Sequence, residues 1–179
     1  MGLNGSIREY EIKYITKESL QSLNKLIDSN FTVIHKEKGT STDIYWKALK
    51  RGRADFIRLR YLSKVSGEIT VKHTDKKDIS DRLEIDLPIG SPIHGRKLLT
   101  RYLGKEAGHV KKSYVVHFLD NKGTNISVYK VHNDGQVFVE IESYKTSIVK
   151  DIANTLTKKL SLNKYNKSLY SRYVKKKKD

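Results

Sequence analysis

The sequence predicts an α+β protein in which an antiparallel sheet is covered by helices. Nine short segments alternate apolar and polar residues with the period of two that is typical of strands. Two other stretches have the spacing of amphipathic helices, and two more are further helix candidates. Turn signals such as Ser66-Gly67 and Asn133-Asp134-Gly135 separate strand segments, which favours antiparallel hairpins. Hairpin-linked strands accompanied by a few helices are typical of the α+β class.

The strand segments fall between turn signals along most of the chain. Three of the separating signals are Lys38-Gly39, Ser66-Gly67 and Asn121-Lys122-Gly123. The Asn133-Asp134-Gly135 signal predicts a hairpin between the last two strands. The predicted strands are 7–15, 31–37, 42–49, 55–62, 67–74, 81–87, 110–118, 124–132 and 136–144.

The helices are predicted from apolar residues three and four positions apart. The first covers 17–29, where Leu20, Leu23 and Ile27 share a face and Thr16 is the expected N-cap. The third covers 147–160, where apolar residues recur in steps of four. The remaining predicted helices are 93–106 and 166–174.

Composition limits the class of protein. The chain has 179 residues, which is enough for a single domain with a core, predicted over 1–174 and followed by a basic tail at 175–179. It contains no cysteine, which excludes disulfides, thiolate metal sites and thiol nucleophiles. No apolar run approaches the roughly 18 residues of a membrane span, and the first residues do not resemble a signal peptide. We therefore expect a soluble, cytoplasmic protein without a membrane partner.

The net charge of +16 indicates a polyanionic partner. Phosphates and nucleic acid both fit that description, so nonspecific nucleic-acid binding through the basic surface is one expectation. The chain has no recognisable nucleic-acid-binding motif. Whether the protein is a monomer or a homodimer stays open at this stage.

Charged residues share one face of each of several strands, opposite an apolar face. A single strand with this pattern usually has one solvated face and one core face. Here the pattern recurs on at least five strands, and helices are available to cover the apolar faces, so a curled or closed sheet would enclose a charged lumen. Charges in such a lumen must pair with one another, bind metal or bind ligand. The sets on the polar face are Glu9, Glu11 and Lys13; Arg58 and Arg60; Glu68, Thr70 and Lys72; Arg82, Glu84 and Asp86; and Phe138, Glu140 and Glu142.

These sets contain the two ingredients of a metal–polyphosphate site. Carboxylates are the hard oxygen ligands that Mg²⁺ and Mn²⁺ prefer, whereas arginine and lysine bind phosphate oxygens. The candidate metal ligands are Glu9, Glu11, Glu140 and Glu142, with Glu84 and Asp86 as further acids. The candidate phosphate ligands are Lys13, Arg58, Arg60, Lys72, Arg82 and Lys112.

The order of these residues resembles the CYTH superfamily, the triphosphate tunnel metalloenzymes. EYEIK at 9–13 resembles the family's ExExK signature, which is short and weak when taken alone. The later motifs follow in the family's order and extend the resemblance over nearly the whole chain. They are Asp43-Ile44-Tyr45 (D-x-Y), Phe56-Ile57-Arg58-Leu59-Arg60 (L-R-x-R), Thr70-Val71-Lys72 (T-x-K), Arg82 to Asp86 (R-x-E-x-E), Gly135 to Glu142 (G-x-F-x-E-x-E) and Ser168-Leu169-Tyr170 (S-Y).

The resemblance implies an eight-stranded antiparallel tunnel, a closed barrel with helices outside, and divalent-metal-dependent chemistry on triphosphates. It assigns metal binding to Glu9, Glu11, Glu140 and Glu142. It assigns the triphosphate path to Lys13, Arg58, Arg60, Lys72 and Arg82. Lys13 also has an expected role in orienting or activating the attacking water, and Glu84 and Asp86 would supply further metal or water contacts. Lys13 and Glu84 are therefore the candidate catalytic residues.

Two departures from the family pattern keep alternatives open. Many members carry an aspartate on the strand before the closing hairpin, where Lys130 stands near the expected position. The basic strand at 110–114 has Lys112 where relatives often have arginine. We expect a metal-dependent triphosphatase acting on tripolyphosphate, an organic triphosphate or an RNA 5′ end. A class IV type adenylyl cyclase and a non-catalytic phosphate-binding module are the alternatives.

Overall fold

A computed structural model describes residues 8–47, 56–74, 81–120 and 123–174. The predicted tail 175–179 and the Asn121-Lys122 part of one predicted turn lie outside these residues. The described chain contains four helices and nine antiparallel strands, of which β9 has only two residues. The α+β class is therefore confirmed.

The elements follow the predicted order. The helices are α1 (Leu20–Asn30), α2 (Pro92–Leu103), α3 (Thr146–Thr157) and α4 (Leu169–Tyr173). The strands are β1 (Arg8–Thr16), β2 (His35–Lys47), β3 (Phe56–Tyr61), β4 (Gly67–Thr74), β5 (Asp81–Ile89), β6 (Gly108–Phe118), β7 (Asn125–Val131), β8 (Val137–Ser143) and β9 (Asn163–Lys164).

The described chain forms two compact units. The first unit comprises Arg8, 41–47, 56–74, 81–110 and 167–174, and the second comprises 9–40, 111–120 and 123–166. Neighbouring strands are β5, β4, β3 and the end of β2 in the first unit, and β6, β7, β8, β1 and β9 in the second. These pairings within units do not establish a closed barrel, so the closed tunnel stays a prediction, as does the single domain over 1–174.

Each unit has a core in which helices cover the apolar strand faces. In the second unit, Leu23 and Ile27 of α1 pack with residues of α3, β7 and β8. In the first unit, Leu99 and Leu103 of α2 pack against a buried cluster on β2 and β3 that includes Trp46. The predicted alternation is therefore confirmed in both units, because the apolar faces are the ones that the helices cover.

Two local predictions about helix and strand ends were wrong. The N-cap of α1 is Ser19, whose Oγ accepts a hydrogen bond from the Ser22 amide at 3.0 Å. Thr16 is instead the last residue of β1, and its Oγ1 accepts from the Glu18 amide. A threonine at a strand end satisfies nearby amides just as an N-cap does, so the sequence alone does not separate the two roles.

Lys38-Gly39 is not a turn, because β2 (His35–Lys47) continues without a break from the end of the predicted strand 31–37 into the predicted strand 42–49. A Cβ atom on Gly39 would lie 3.0 Å from the hydroxyl oxygen of Tyr114. Glycine here makes room for a neighbouring ring, which is a common use of glycine inside strands. The Asn133-Asp134-Gly135 hairpin is confirmed, with Gly135 at φ +71°.

Among the residues that the structure describes, no helix has both the length and the hydropathy needed to cross a membrane.

Candidate functional site

Three predicted metal ligands converge in the second unit. Glu11 lies on β1, and Glu140 and Glu142 lie on β8. Each offers a carboxylate oxygen, and these oxygens lie within 4.8 Å of one another. Strand register produces this arrangement, because β1 and β8 are antiparallel and Glu11 is the direct cross-strand neighbour of Glu142. Glu11 is buried, with its side chain 5% exposed, and Glu140 and Glu142 are partly buried.

Lys13 lies within the same carboxylate cluster. It is the cross-strand neighbour of Glu140, and its Nζ lies 2.5 Å from Glu140 Oε1 and 3.0 Å from Glu11 Oε1. The Lys13 side chain is 5% exposed, so it offsets charge that water does not reach. Three carboxylates and one ammonium leave two negative charges, which suits a divalent cation with oxygen ligands. The residues present therefore fit Mg²⁺ or Mn²⁺.

Two polar residues of β7 extend this acidic face. Asn125 and Ser127 are the cross-strand neighbours of Glu142 and Glu140. Asn125 Nδ2 donates to Glu142 Oε2 at 3.2 Å, and Ser127 Oγ donates to Asn125 Oδ1 at 3.4 Å. Sequence reasoning missed both residues. The signal that identifies them is their position two residues apart on the strand that pairs with Glu140 and Glu142.

Lys130 does not lie on the strand face that carries the carboxylate cluster. It is exposed, and its cross-strand neighbour is Val137. Side chains alternate along β7, so Lys130 shares a face with Val128 of the hydrophobic core and not with Ser127. Ser127 is the residue opposite Glu140. The polar face of β7 therefore has amide and hydroxyl groups where an acid was expected.

Lys112 is buried in the second unit, with 7% of its surface exposed. It pairs with Val131 across β6 and β7, and its Nζ lies 4.9 Å from the centre of the Tyr129 ring. Tyr129 stacks on Phe138, with the ring centres 5.3 Å apart. The face of an aromatic ring attracts an ammonium group, so Tyr129 stabilises the buried Lys112.

In the first unit, Arg60 is anchored by a fully buried carboxylate. Asp43 is the cross-strand neighbour of Arg60 and its side chain is 0% exposed. Arg60 Nε donates to Asp43 Oδ1 at 2.9 Å, and Nη2 donates to Oδ2 at 3.4 Å. Burial alone would lower the pKa of Arg60, but the charge and hydrogen bond of Asp43, together with the charge of Glu68, raise it above its ordinary value. Arg60 is therefore a permanent cation.

Arg58 is held by residues of β4 and β5. Its Nη2 donates to Thr70 Oγ1 at 2.6 Å and to Glu68 Oε1 at 3.2 Å, and lies 3.9 Å from Asp86 Oδ1. Thr70 in turn donates to Asp86 Oδ1 at 2.5 Å. The structure thus brings the predicted residues Arg58, Arg60 and Asp86 into one group. Three residues without a predicted role belong to the same group, namely Asp43, Glu68 and Thr70. Asp43 was visible in the D-x-Y motif, and Glu68 and Thr70 share a face with Lys72.

Lys72 lies on β4 beside these arginines and is buried, with 8% of its surface exposed. Its cross-strand neighbours are Phe56 and Glu84. Phe56 packs on Tyr45 and on Tyr170 of α4, with ring centres 5.4 and 5.2 Å away. An aromatic cluster therefore borders the cationic strands at this end of the first unit.

Three predicted site residues have side chains outside the described part of the structure. Glu9 lies in β1, and Arg82 and Glu84 lie in β5, by their backbones. Register makes Thr74 the neighbour of Arg82. Their roles in metal binding, phosphate binding and catalysis stay predictions.

Comparisons with known proteins show which solved structures have a similar fold. No family model matches the chain, and no curated protein matches it. The solved structure of the PH1012 protein from Pyrococcus horikoshii OT3 has a TM-score of 0.71 at 20% identity, covering 93% of this chain and 98% of that chain. A protein from Vibrio parahaemolyticus, proposed as an adenylate cyclase, has a TM-score of 0.66 at 14% identity, covering 93% and 98%.

A third structure is HpAC1 from Hippeastrum, proposed as an adenylyl cyclase and described as having a dominant triphosphatase activity. Its TM-score is 0.65 at 14% identity, covering 91% of this chain and 93% of that chain. The chain therefore shares its fold with these structures, two of which are of proteins proposed as adenylyl cyclases. This similarity of fold agrees with the resemblance that the motifs predicted. Because fold alone does not fix activity, the reaction has to be argued from the site.

Proposed function

We propose that the protein is a divalent-metal-dependent hydrolase that cleaves the terminal phosphate of a triphosphate. One observation carries the proposal: Glu11, Glu140 and Glu142 place carboxylate oxygens within 4.8 Å of one another beside Lys13. A resident Mg²⁺ or Mn²⁺ on this cluster would supply charge neutralisation to phosphate oxygens. Glu9 belongs to the same proposed ligand set by its place in the ExExK motif.

The cationic residues would hold the phosphates. Arg58 and Arg60 each have a fixed guanidinium, which suits bidentate binding of phosphate oxygens. Lys72 and Lys112 are shielded cations with a less directional charge. Arg82 is included on the resemblance. The triphosphate would thus meet guanidinium donors that are already oriented, so little side-chain entropy is lost on binding.

Hydrolysis would follow in-line attack of water on the terminal phosphorus. The new phosphorus–oxygen bond forms as the bond to the bridging oxygen breaks, diphosphate leaves with the electron pair of that bond, and the proton of the water passes to a phosphate oxygen of the products. Lys13 Nζ lies within hydrogen-bonding distance of two carboxylates, so its geometry suits donation to the water or to a phosphate oxygen and not removal of a proton. Glu84 is the residue proposed to contact the water.

The experiment measures the products from four substrates: tripolyphosphate, ATP, thiamine triphosphate and a 5′-triphosphate RNA. Each is incubated with Mg²⁺, with Mn²⁺ or with EDTA, and phosphate, diphosphate and cyclic AMP are quantified. Metal-dependent release of phosphate from any of these substrates supports the triphosphatase and identifies its substrate class. Release of diphosphate with cyclic AMP from ATP would replace the proposal with a cyclase. The Glu140→Gln variant should lose at least about 100-fold in turnover, and Glu37→Gln, an exposed control, should not.

A second candidate is a metal-independent phosphate-binding module. The polar face of β7 has Asn125 and Ser127, and not acids, opposite Glu142 and Glu140. This observation favours the module. Such a module would bind triphosphate without turnover of any of the four substrates. The net charge of +16 favours a large anionic ligand such as an RNA 5′ end in either case. An RNA ligand predicts an affinity that falls steeply with salt.

A further inference from the structure

Glu68 lies between the two arginines of the first unit. Its Oε1 atom is 3.2 Å from Arg58 Nη2 and 3.6 Å from Arg60 Nη1. One carboxylate therefore contacts both cations that are proposed to bind phosphate. A carboxylate and a phosphate present similar oxygen acceptors to a guanidinium, so Glu68 occupies a position that suits a phosphate oxygen.

Asp43, the other carboxylate that contacts Arg60, differs from Glu68 in its surroundings. Asp43 is 0% exposed and takes the Nε and Nη2 atoms, whereas Glu68 is 28% exposed and faces Nη1. A buried carboxylate that accepts two hydrogen bonds from one guanidinium is costly to remove. A partly exposed glutamate with longer contacts rotates into solvent at much lower cost. Asp43 thus orients Arg60, and Glu68 is displaceable.

Arg58 also keeps contacts that do not involve Glu68. Its Nη2 donates to Thr70 Oγ1 at 2.6 Å, and Asp86 lies 3.9 Å away. Thr70 is fully buried, and its Oγ1 lies 2.5 Å from Asp86 Oδ1 and 3.4 Å from Glu68 Oε1. Departure of Glu68 would therefore leave Thr70 bonded to Asp86 and Arg60 bonded to Asp43, and a phosphate oxygen could take the place of Glu68 Oε1.

We propose that Glu68 is an internal competitor that occupies the arginines and lowers the affinity of this site for the phosphate groups of the ligand. This inference rests on the proposed function. Each anion must displace the same carboxylate, so every affinity is lowered by a similar factor. A triphosphate has enough charge to bind despite this competition, whereas a weakly held orthophosphate does not. Glu68 thereby weakens the binding of every phosphate ligand to a similar extent, and ligands with several linked phosphates keep enough affinity to bind.

The test measures binding of tripolyphosphate and of orthophosphate to the full chain by isothermal titration calorimetry. EDTA is present, so that a metal bound to the carboxylate cluster does not contribute. The variants are Glu68→Gln, which is nearly isosteric, and Glu68→Ala, and thermal unfolding verifies that each is folded. The control is Glu37→Gln, which removes the same charge from an exposed glutamate of the second unit. Arg58→Gln reports whether the arginines bind the ligand at all.

We expect both Glu68 variants to bind tripolyphosphate and orthophosphate about tenfold more tightly than the unchanged chain, with Glu37→Gln within about twofold. If the unchanged chain binds tripolyphosphate and Arg58→Gln weakens binding, but the Glu68 variants bind no more tightly, the inference alone is overturned. Weaker binding by the Glu68 variants also overturns it, because Glu68 would then position the arginines. Absence of tripolyphosphate binding in all forms would overturn the phosphate-binding part of the proposed function together with the inference.

Discussion

Lys13 and Glu140 are direct cross-strand neighbours on β1 and β8, and their charged atoms lie 2.5 Å apart. The same ammonium reaches Glu11 at 3.0 Å, so one cation holds two of the three clustered carboxylates. Removal of that cation leaves shielded negative charges close together. The pair therefore links the stability of the second unit to the occupancy of the proposed metal site.

The Lys13→Met variant should lower the free energy of unfolding by about 3 kcal/mol in EDTA, because the carboxylates lose their shielded partner. Mn²⁺ should restore more stability to this variant than to the unchanged chain, because it replaces the missing charge. Urea unfolding with and without Mn²⁺ measures both effects. The control is Lys36→Met, which breaks an exposed ion pair with Asp28 and should cost less than about 1 kcal/mol. Equal losses for the two variants would contradict the prediction.

The Asn125→Asp variant supplies the acid that β7 lacks, with almost no change in shape. Its new carboxylate would lie beside Glu142, where the amide now donates a hydrogen bond. We expect about tenfold tighter binding of Mn²⁺ by calorimetry, because a further charged oxygen ligand joins the cluster. In EDTA the variant should be less stable because of charge repulsion. Asn163→Asp, on exposed β9, adds the same charge away from the cluster and should change neither property.

The Asp43→Asn variant removes the buried carboxylate from Arg60. The loss of an acceptor in a fully shielded pair should lower the free energy of unfolding by about 3 kcal/mol, measured by urea denaturation. Asp28→Asn is the matched control, because Asp28 pairs with Lys36 at the surface and should cost less than about 1 kcal/mol. Asp43→Asn should also weaken tripolyphosphate binding, since Arg60 loses its orientation. Unchanged stability would show that Asp43 does not anchor Arg60.

Protonation of His117 should make the free energy of unfolding depend on pH. Burial lowers the pKa of His117, and its contact with the Ile126 carbonyl and the charge of Asp28 only partly oppose this effect. The folded chain therefore favours the neutral ring, whereas the unfolded chain binds a proton near pH 6.5. Stability from this group is fully present above about pH 6.5 and falls as the pH drops toward the lowered pKa.

Urea unfolding between about pH 5 and pH 8 measures this dependence. His117→Gln removes the titrating group and should flatten the curve below about pH 6.5. The comparison uses the slope of stability against pH, so a general loss of stability in the variant does not obscure it. An unchanged slope would assign the acid sensitivity to other groups.

The repeating patterns of the sequence were enough to predict most of the fold and part of the site. Alternation predicted the strands, and helical spacing predicted α1 and α3, because burial of one face imposes these periods. Glu11, Glu140 and Glu142 were identified in the same way, since each lies on a polar strand face. The predictions that were wrong, such as the Thr16 cap and the Lys38-Gly39 turn, concern single residues whose side chains suit two environments.

The sequence by itself determined the α+β class, the order of the elements and which residue types line each polar face. These features depend on local periodicity and on turn residues, which are written along the chain. Only the tertiary structure decided which charges meet: Lys13 with Glu140, Arg60 with Asp43, and Glu68 with both arginines. It also decided that Ser127, and not Lys130, is opposite Glu140. The physical reason is strand register, because a shift of one residue turns every side chain to the opposite face of the sheet.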